Sequence, residues 1–266
     1  MYHRAMSDQD PRASERWRGR VALVTGASSG IGRAIAERLA VEEGMKVVVC
    51  ARRSDRLSAL IKAIRAREPK AELLAVACDL RDEAAIERMF AALRARFGGV
   101  DVLINNAGIG RAAPLLSGAT EHWREMLELN VLALCICTRE AIADMRQRGD
   151  DGHVIHIASM ASHRVPPGSG VYSASKFAVR SLTEGLRLEL REAQSDIRVT
   201  AISPGFVETE FAQNYAHGDA DQARATYSRY PVLQPADVAD MVAYAMRAPA
   251  HVQIHDLLVR PTRQPG

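Results

Sequence analysis

The stretch TGASSGIG, Thr25–Gly32, stands between a short apolar run, VALVT, and a segment with the period of an α-helix. A glycine-rich turn at such a junction is where the phosphates of a dinucleotide bind in a βαβ unit. Gly26 permits a tight turn, Gly30 lets the backbone approach a pyrophosphate, and Gly32 allows close helix–sheet packing. The alternative is a glycine-rich turn that binds no ligand. The predicted phosphate-binding residues are Gly26, Ala27, Ser28, Ser29, Gly30, Ile31 and Gly32.

On both sides of this loop, β-branched runs alternate with helical patterns. Strands are predicted to begin near residues 21, 46, 71, 100, 153, 197 and 254. Helices are predicted after the glycine loop to about residue 43 and over 54–67, 82–96, 121–147, 171–192 and 235–248. This alternation predicts an α/β fold with one mostly parallel seven-stranded sheet and helices on both faces. The glycine loop favours a doubly wound Rossmann fold over a barrel.

The length of 266 residues and the 47% hydrophobic content suit a single α/β domain. We assign residues 1–17 to a flexible N-terminal arm and residues 18–266 to the nucleotide-binding domain. Within that domain, the polar stretch at about 206–235 is predicted to be a lid that orders when substrate binds.

Composition and charge exclude several classes of protein. The net charge of +3 comes from interspersed residues without a basic tract, which argues against nucleic acid as a partner. The apolar run at 129–137 is too short to span a membrane. The arm lacks the apolar region of a secretory signal. The four cysteines lack zinc-type spacing and are predicted to be reduced, so we expect a cytoplasmic protein without a metal site.

A second motif, YSASK, sets Tyr172 and Lys176 one helical turn apart. Residues four apart share a helix face, so the two side chains should project together. The pair is either a surface coincidence or a device for handling protons. A free tyrosine has a pKa of about 10, and a neighbouring lysine cation would favour its phenolate.

With these motifs the sequence resembles the short-chain dehydrogenase/reductase family from Arg18 onward. The motifs that carry the resemblance, in chain order, are TGASSGIG, Asp79, NNAG at 105–108, Asn130, Ser159, Tyr172 with Lys176, and PG at 204–205. The resemblance implies hydride transfer between a nicotinamide cofactor and a ketone, aldehyde or alcohol. It also implies a homodimer or homotetramer that pairs through the helices at 121–147 and 171–192.

The resemblance implies four catalytic residues. Tyr172 would act as general acid and base at the substrate oxygen, and Ser159 would orient that oxygen. Lys176 would tune Tyr172 and hold the nicotinamide ribose, and Asn130 would support a water chain to Lys176. Ser159 could instead be an ordinary serine at a strand end, and Asn130 a structural amide. Ordinary hydrogen bonds, without a catalytic role, are predicted for His153, His156 and His163.

The choice of cofactor is predicted from the end of the second strand, CARR. Ala51 stands where an acidic residue would bind the ribose hydroxyls of NAD. Arg52 and Arg53 follow and match the 2′-phosphate of NADP, so NADP(H) is predicted over NAD(H). The alternative is that both arginines only solvate the next helix. Further cofactor contacts are predicted for Asp79, Leu80, Asn106, Ala107, Gly108, Pro204, Gly205, Val207 and Thr209.

A lipophilic ketone or alcohol is the predicted substrate, because the predicted wall is apolar. Its residues are Met160, Phe206, Phe211 and Tyr215. Two alternatives remain open. One is a 3-hydroxy acid dehydrogenase, in which Arg164, Arg224 or Arg229 would bind a carboxylate. The other is an NADP sensor without catalysis, against which the complete proton-handling set argues.

Overall fold

Within the residues that the structure describes, 15–215 and 220–265, seven strands form one fully parallel sheet. The fold is that of a computed structural model. The strands are β1 Val21–Thr25, β2 Lys46–Ala51, β3 Leu73–Ala77, β4 Val102–Asn105, β5 His153–Ile157, β6 Arg198–Pro204 and β7 Asp256–Val259. The predicted α/β fold is thereby confirmed, and every strand pairing is parallel.

The order of the strands creates a crevice at one edge of the sheet. The order is β3-β2-β1-β4-β5-β6-β7, so the winding reverses between β1 and β4. Loops after these two strands leave in opposite directions, and the space between them opens at the carboxyl ends of the strands. The glycine loop follows β1 and the NNAG segment follows β4, so both meet at this reversal.

Helices cover both faces of the sheet, as predicted. They are α1 Gly30–Val41, α2 Ser54–Arg67, α3 Glu83–Phe97, α4 Thr120–Leu127, α5 Ala133–Gln147, α6 Gly170–Glu192, α7 Phe211–Tyr215, α8 Ala220–Tyr227 and α9 Pro235–Arg247. One buried cluster contains Leu39, Leu60 and Val242, from α1, α2 and α9. A second contains Phe90 of α3 and Leu190 of α6. Strands that are buried on both faces explain the continuous apolar runs in the sequence.

The helix predicted over 121–147 is not continuous. A π-helical turn over Glu128–Leu132 separates α4 from α5. Such turns insert one residue into an α-helix and occur often at functional sites. An apolar period tolerates a single inserted residue, so the sequence pattern did not reveal this turn. Asn130 lies in the turn and is only 1% exposed.

Trp17, the last residue assigned to the predicted N-terminal arm, is part of the packed core. Residues 1–14 lie outside the described residues, whereas Trp17 is fully buried. Its Nε1–H donates to the carbonyl of Met246 at 2.8 Å. The guanidinium of Arg198 also lies 5.9 Å from the ring centre, within cation–π range. Trp17, at the predicted boundary, thus packs against the domain, and the sequence did not indicate this because an isolated aromatic residue has no period that would reveal its distant partner.

The stretch at 206–235 contains α7 and α8. Residues 216–219 of the predicted lid lie outside the described residues. The N–H of Glu208 donates to the carbonyl of Leu233, and the N–H of Leu233 donates to that of Phe206, at 2.9 and 3.0 Å. These bonds join the two ends of the stretch beside β6. They fix the backbone of the segment that leads into α7.

Candidate active site

A cavity of about 830 Å³ opens at the carboxyl ends of the strands. The residues predicted from the sequence to contact cofactor or substrate line it, with two exceptions. Ala27 is fully buried beside the glycine loop, and Asn130 lies behind the wall. The predicted residues on the wall are Gly26, Ser28, Ser29, Gly30, Ile31, Gly32, Arg52, Arg53, Asp79, Leu80, Asn106, Ala107, Gly108, Ser159, Met160, Tyr172, Lys176, Pro204, Gly205, Phe206, Val207, Thr209, Phe211 and Tyr215.

The glycine loop lies directly against the NNAG segment. Gly26 has φ +67°, and a Cβ added there would be 2.8 Å from the Cα of Ala107. Only glycine fits this approach without strain. The hydroxyl of Thr25 accepts the N–H groups of Asn106 and Ala107, both at 3.0 Å. The side chain of Asn106 donates in return to the carbonyl of Thr25 at 2.8 Å. The two loops therefore support one another.

The N-terminus of α1 faces the cavity. Ser29 precedes this helix, and its side chain does not cap it. Ser29 instead accepts a hydrogen bond from Arg53 at 3.2 Å. The first N–H groups of a helix have no partners within the helix and favour an anion. This arrangement fits a pyrophosphate.

Ser159, Tyr172 and Lys176 meet at the opposite end of the cavity. Ser159 follows β5, and its hydroxyl accepts the N–H of Ala161 at 3.1 Å. Tyr172 lies in the first turn of α6, and Lys176 lies one turn further along. The ammonium of Lys176 donates to the carbonyl of Ile157 at 2.9 Å. The end of β5 and the start of α6 thus place all three side chains on one wall.

Burial sets the electrostatics of this group. It raises the pKa of Tyr172 to about 12, although a hydrogen bond with Ser159 acts in the other direction. It also lowers the pKa of Lys176 to about 8. The expectation that Lys176 would favour the phenolate is therefore wrong for this structure, because desolvation outweighs any attraction between the two groups. Tyr172 is a protonated acid near neutrality.

Asn130 makes structural bonds at the edge of the site. Its Oδ1 accepts the N–H of Ile109, and its Nδ2 donates to the carbonyl of Ile109, both at 2.8 Å. Nδ2 also donates to the hydroxyl of Ser175 at 3.0 Å. A Cβ added at Gly108 would be 3.2 Å from Asn130 Oδ1 and 3.6 Å from Lys176 Nζ. Asn130 therefore lies close to Lys176 and holds the loop after β4 against α6.

The rings of Tyr172, Phe211 and Tyr215 pack together on one wall of the cavity. The ring centres of Phe211 and Tyr215 lie 5.4 and 6.2 Å from that of Tyr172. Glycine at position 110 leaves room for them, since an added Cβ would be 2.6 Å from Phe211. Helix α7 thus packs its aromatic face on the tyrosine of the site.

Several residues of the wall were not predicted from the sequence, among them Gln264 and Glu210. Gln264 accepts the N–H of Phe206 at 3.0 Å and donates to the sulfur of Met160 at 3.2 Å. Glu210 contacts Arg53 at 3.2 Å. The C-terminal tail has no periodic pattern, and an acidic residue beside a polar lid looks like a solvated charge. Neither position had a signal that could have identified it.

The predicted nucleotide-binding arginines lie at the end of β2. Arg52 and Arg53 are exposed on the cavity wall, and Ala51 before them is buried. After the neighbouring strand β3, Asp79 accepts a hydrogen bond from Arg81 at 2.7 Å, which lowers the pKa of this carboxyl. Arg52, Arg53 and Arg81 thus line this end of the cavity, and Arg81 is paired with the carboxylate of Asp79.

The histidines make ordinary hydrogen bonds. The hydroxyls of Thr200 and Thr183 lie 2.9 Å from His153 and His156. Burial lowers the pKa of His156 to about 3, so it is neutral. His163 lies 3.0 Å from the carboxylate of Asp256.

The described part of the chain contains no cluster of three or more metal-ligating side chains. Its helices are each too short or too polar to cross a membrane.

Comparisons with known proteins agree on one family. The family model described as short chain dehydrogenase matches residues 20–220. Dehydrogenase/reductase SDR family member 11 of Bos taurus is 53% identical over 94% of this chain and 99% of its own length. Farnesol dehydrogenase of Aedes aegypti is 43% identical over 93% and 98%. The closed form of a serine dehydrogenase complexed with NADP+ superposes with a TM-score of 0.86 at 35% identity, covering 92% of this chain and 96% of that one.

The lowered pKa of Lys176 can be tested by competitive acetylation followed by mass spectrometry. Because burial disfavours the ammonium, the reactivity of Lys176 should rise with a midpoint at about pH 8. The exposed Lys62 on α2 is the internal reference for reagent activity. A midpoint for Lys176 at the ordinary lysine value of about 10.4 would contradict the burial argument.

Proposed function

Because this chain belongs to the short-chain dehydrogenase/reductase family, we propose that it is an NADP(H)-dependent oxidoreductase that interconverts a ketone or aldehyde and an alcohol. The observation that carries the proposal is the convergence of Ser159, Tyr172 and Lys176 on the cavity that the glycine loop opens. Lipophilic substrates are proposed from the four apolar wall residues. The name of the mosquito relative, a farnesol dehydrogenase, supports the same class.

The residues of the outer cavity fit NADP. Gly26 packs directly against the backbone of Ala107, so no side chain projects from this turn, and the uncapped start of α1 faces the cavity beside it. Arg52 and Arg53 supply positive charge where the 2′-phosphate would lie, and Ala51 avoids the repulsion that an acid would cause. The related structure that holds NADP+ supports this choice.

In the proposed reaction the protein handles the proton. NADPH supplies the hydride to the carbonyl carbon when it is bound. Tyr172 gives its proton to the carbonyl oxygen, for which a protonated phenol is suited. Ser159 donates a hydrogen bond to the same oxygen and orients it. Lys176, whose pKa is about 8, can exchange a proton near neutrality and restore the acid. Asn130 holds the loop after β4 against α6, the helix that carries Lys176.

One observation favours a small acidic substrate as a second candidate. Arg229 lines the cavity and could bind a substrate carboxylate. The solved serine dehydrogenase, which acts on a 3-hydroxy acid, supports this alternative. Arg164 and Arg224, the other two predicted carboxylate partners, do not line the cavity. The apolar wall makes a lipophilic substrate the better supported proposal.

Replacing Tyr172 with Phe tests the enzyme against the sensor. Loss of the acid should lower kcat about a hundredfold to ten-thousandfold, while the affinity for NADPH stays unchanged. Steady-state rates and NADPH fluorescence titrations measure the two quantities. If the Phe variant kept the wild-type kcat, Tyr172 would not be the general acid of the reaction.

The preference for NADP can be tested at Arg53. Arg53→Gln should raise the Kd of NADP+ by roughly tenfold to a hundredfold, because a hydrogen bond to a charged group contributes about 1.5–3 kcal/mol. The Kd of NAD+ should not change. Arg65→Gln, the same substitution on the exposed side of α2, is the control. Tighter binding of NAD+ than of NADP+ by the wild-type protein would defeat the proposal.

A homodimer or homotetramer is proposed from two helical regions that expose apolar side chains. Leu127 and Leu132 are 46% and 55% exposed, and Leu188 on α6 is 55% exposed. Light scattering should give at least twice the monomer mass of 29.1 kDa. A stable monomer at micromolar concentration would exclude this assembly.

A cytoplasmic location is proposed from the four cysteines, which are free thiols. Cell fractionation should recover the protein with cytoplasmic markers. Recovery with an oxidising compartment would contradict this location.

A further inference from the structure

Glu210 joins the lid to the arginines at the end of β2. Its two carboxylate oxygens accept hydrogen bonds from Arg53 at 3.2 Å and from Arg56 at 2.5 Å. These arginines hold the pKa of Glu210 below its usual value, so the carboxylate is ionised at neutral pH. One negative charge thus lies between two positive charges at the outer end of the cavity.

Arg53 is the point at which three segments meet. Its second guanidinium nitrogen donates to Ser28 at 2.9 Å and to Ser29 at 3.2 Å in the glycine loop. Its first nitrogen holds Glu210, immediately before α7. Arg53 is also one of the two residues proposed to bind the 2′-phosphate. The carboxylate of Glu210 and that phosphate would therefore use the same guanidinium.

Helix α7 connects this ion pair to the catalytic end. It starts at Phe211, directly after Glu210, and ends at Tyr215. The ring of Phe211 packs against Tyr172. At the other end of the helix, the carbonyl of Tyr215 accepts the N–H of Ala112 at 3.1 Å. A change in the contacts of Glu210 therefore affects a helix whose Phe211 ring packs against Tyr172, the proposed general acid.

We infer that Glu210 is a positioning residue that competes with the 2′-phosphate of the cofactor for Arg53. Binding of the phosphate then shifts Glu210 from Arg53 to Arg56 alone, which removes one of the two ion pairs that hold the start of α7. The inference rests on the proposed function, since it requires an NADP-binding site. Binding and release are reciprocal, so a protein without the carboxylate must bind the 2′-phosphate more tightly.

The exposure of the groups makes the exchange feasible. The side chains of Arg53 and Glu210 are 43% and 42% exposed. An ion pair that is this exposed to water is weak and readily exchanged. A phosphate dianion that can accept several N–H groups from one guanidinium is the stronger partner. The shorter contact to Arg56 gives Glu210 a place to remain.

Equilibrium titration with two nucleotides tests the inference without turnover. The probes are 2′,5′-ADP, which carries the 2′-phosphate, and 5′-AMP, which lacks it. Glu210→Gln should bind 2′,5′-ADP about threefold to tenfold more tightly than the wild-type protein, because a nearby negative charge is removed. Its affinity for 5′-AMP should be unchanged.

The matched control is Glu208→Gln. Glu208 stands two residues earlier in the same segment and accepts a hydrogen bond from Gln234 at 3.0 Å. The substitution removes the same charge away from Arg53, so the ratio of the two affinities should stay at the wild-type value. An equal change in both variants would show a general charge effect and would overturn the inference.

The titrations distinguish a failure of the proposed NADP preference from a failure of the inference about Glu210. If the wild-type protein binds both probes equally, the proposed NADP preference fails and the inference fails with it. If the wild-type protein prefers 2′,5′-ADP and Glu210→Gln does not increase that preference, only the inference fails.

Hydrogen exchange in the wild-type protein provides a second test that needs no variant. The N–H of Asn214 donates to the carbonyl of Glu210 within α7, at 3.0 Å. Saturating 2′,5′-ADP should accelerate exchange over residues 211–215, whereas 5′-AMP should not. Unchanged or slower exchange with 2′,5′-ADP would overturn the release of Glu210.

Discussion

The pairing of β1 with β4 brings together the two loops that form the cavity. The register of this pairing sets Val24 opposite Ile104, so Gly26 and Ala107 leave the sheet side by side. A side chain on Gly26 would collide with the backbone of Ala107, and the hydroxyl of Thr25 satisfies two N–H groups of the opposite loop. With these contacts, two loops that are far apart in sequence form one rigid floor. The end of the cavity at the glycine loop and the end at Tyr172 both extend from that floor.

Desolvation is the second constraint on the site. It raises the pKa of Tyr172 and lowers that of Lys176, because burial disfavours the charged form of each group. In the proposed reaction, the tyrosine keeps its proton until negative charge develops on the substrate oxygen. The lysine lies close enough to neutrality to exchange a proton. Burial within one wall thus shifts both pKa values in the direction that the proposed proton transfer requires.

The sequence was sufficient for those parts of the fold and site that depend on periodic burial or on ordered motifs. Strands buried on both faces are visible as apolar runs, and the glycine loop at the first of them identifies the cavity. Two features could not be predicted because they leave no trace in the hydrophobic periodicity of the sequence. They are the π turn at Asn130 and the burial of Trp17. The direction of the pKa shift of Tyr172 was hidden for another reason, since a sequence shows a neighbouring charge but not the loss of water. Glu210 reaches Arg53 only through the fold.

The central claim is that the cavity catalyses NADP-dependent hydride transfer on a lipophilic carbonyl or alcohol. The most direct measurement is nicotinamide absorbance with NADPH and NADH against a panel of ketones, and with NADP+ and NAD+ against steroid alcohols, terpenoid alcohols and hydroxy acids. The account predicts oxidation of NADPH by lipophilic ketones and little activity with NADH. If NADPH binds and no substrate changes its absorbance, the protein is a sensor rather than an enzyme, which contradicts the account.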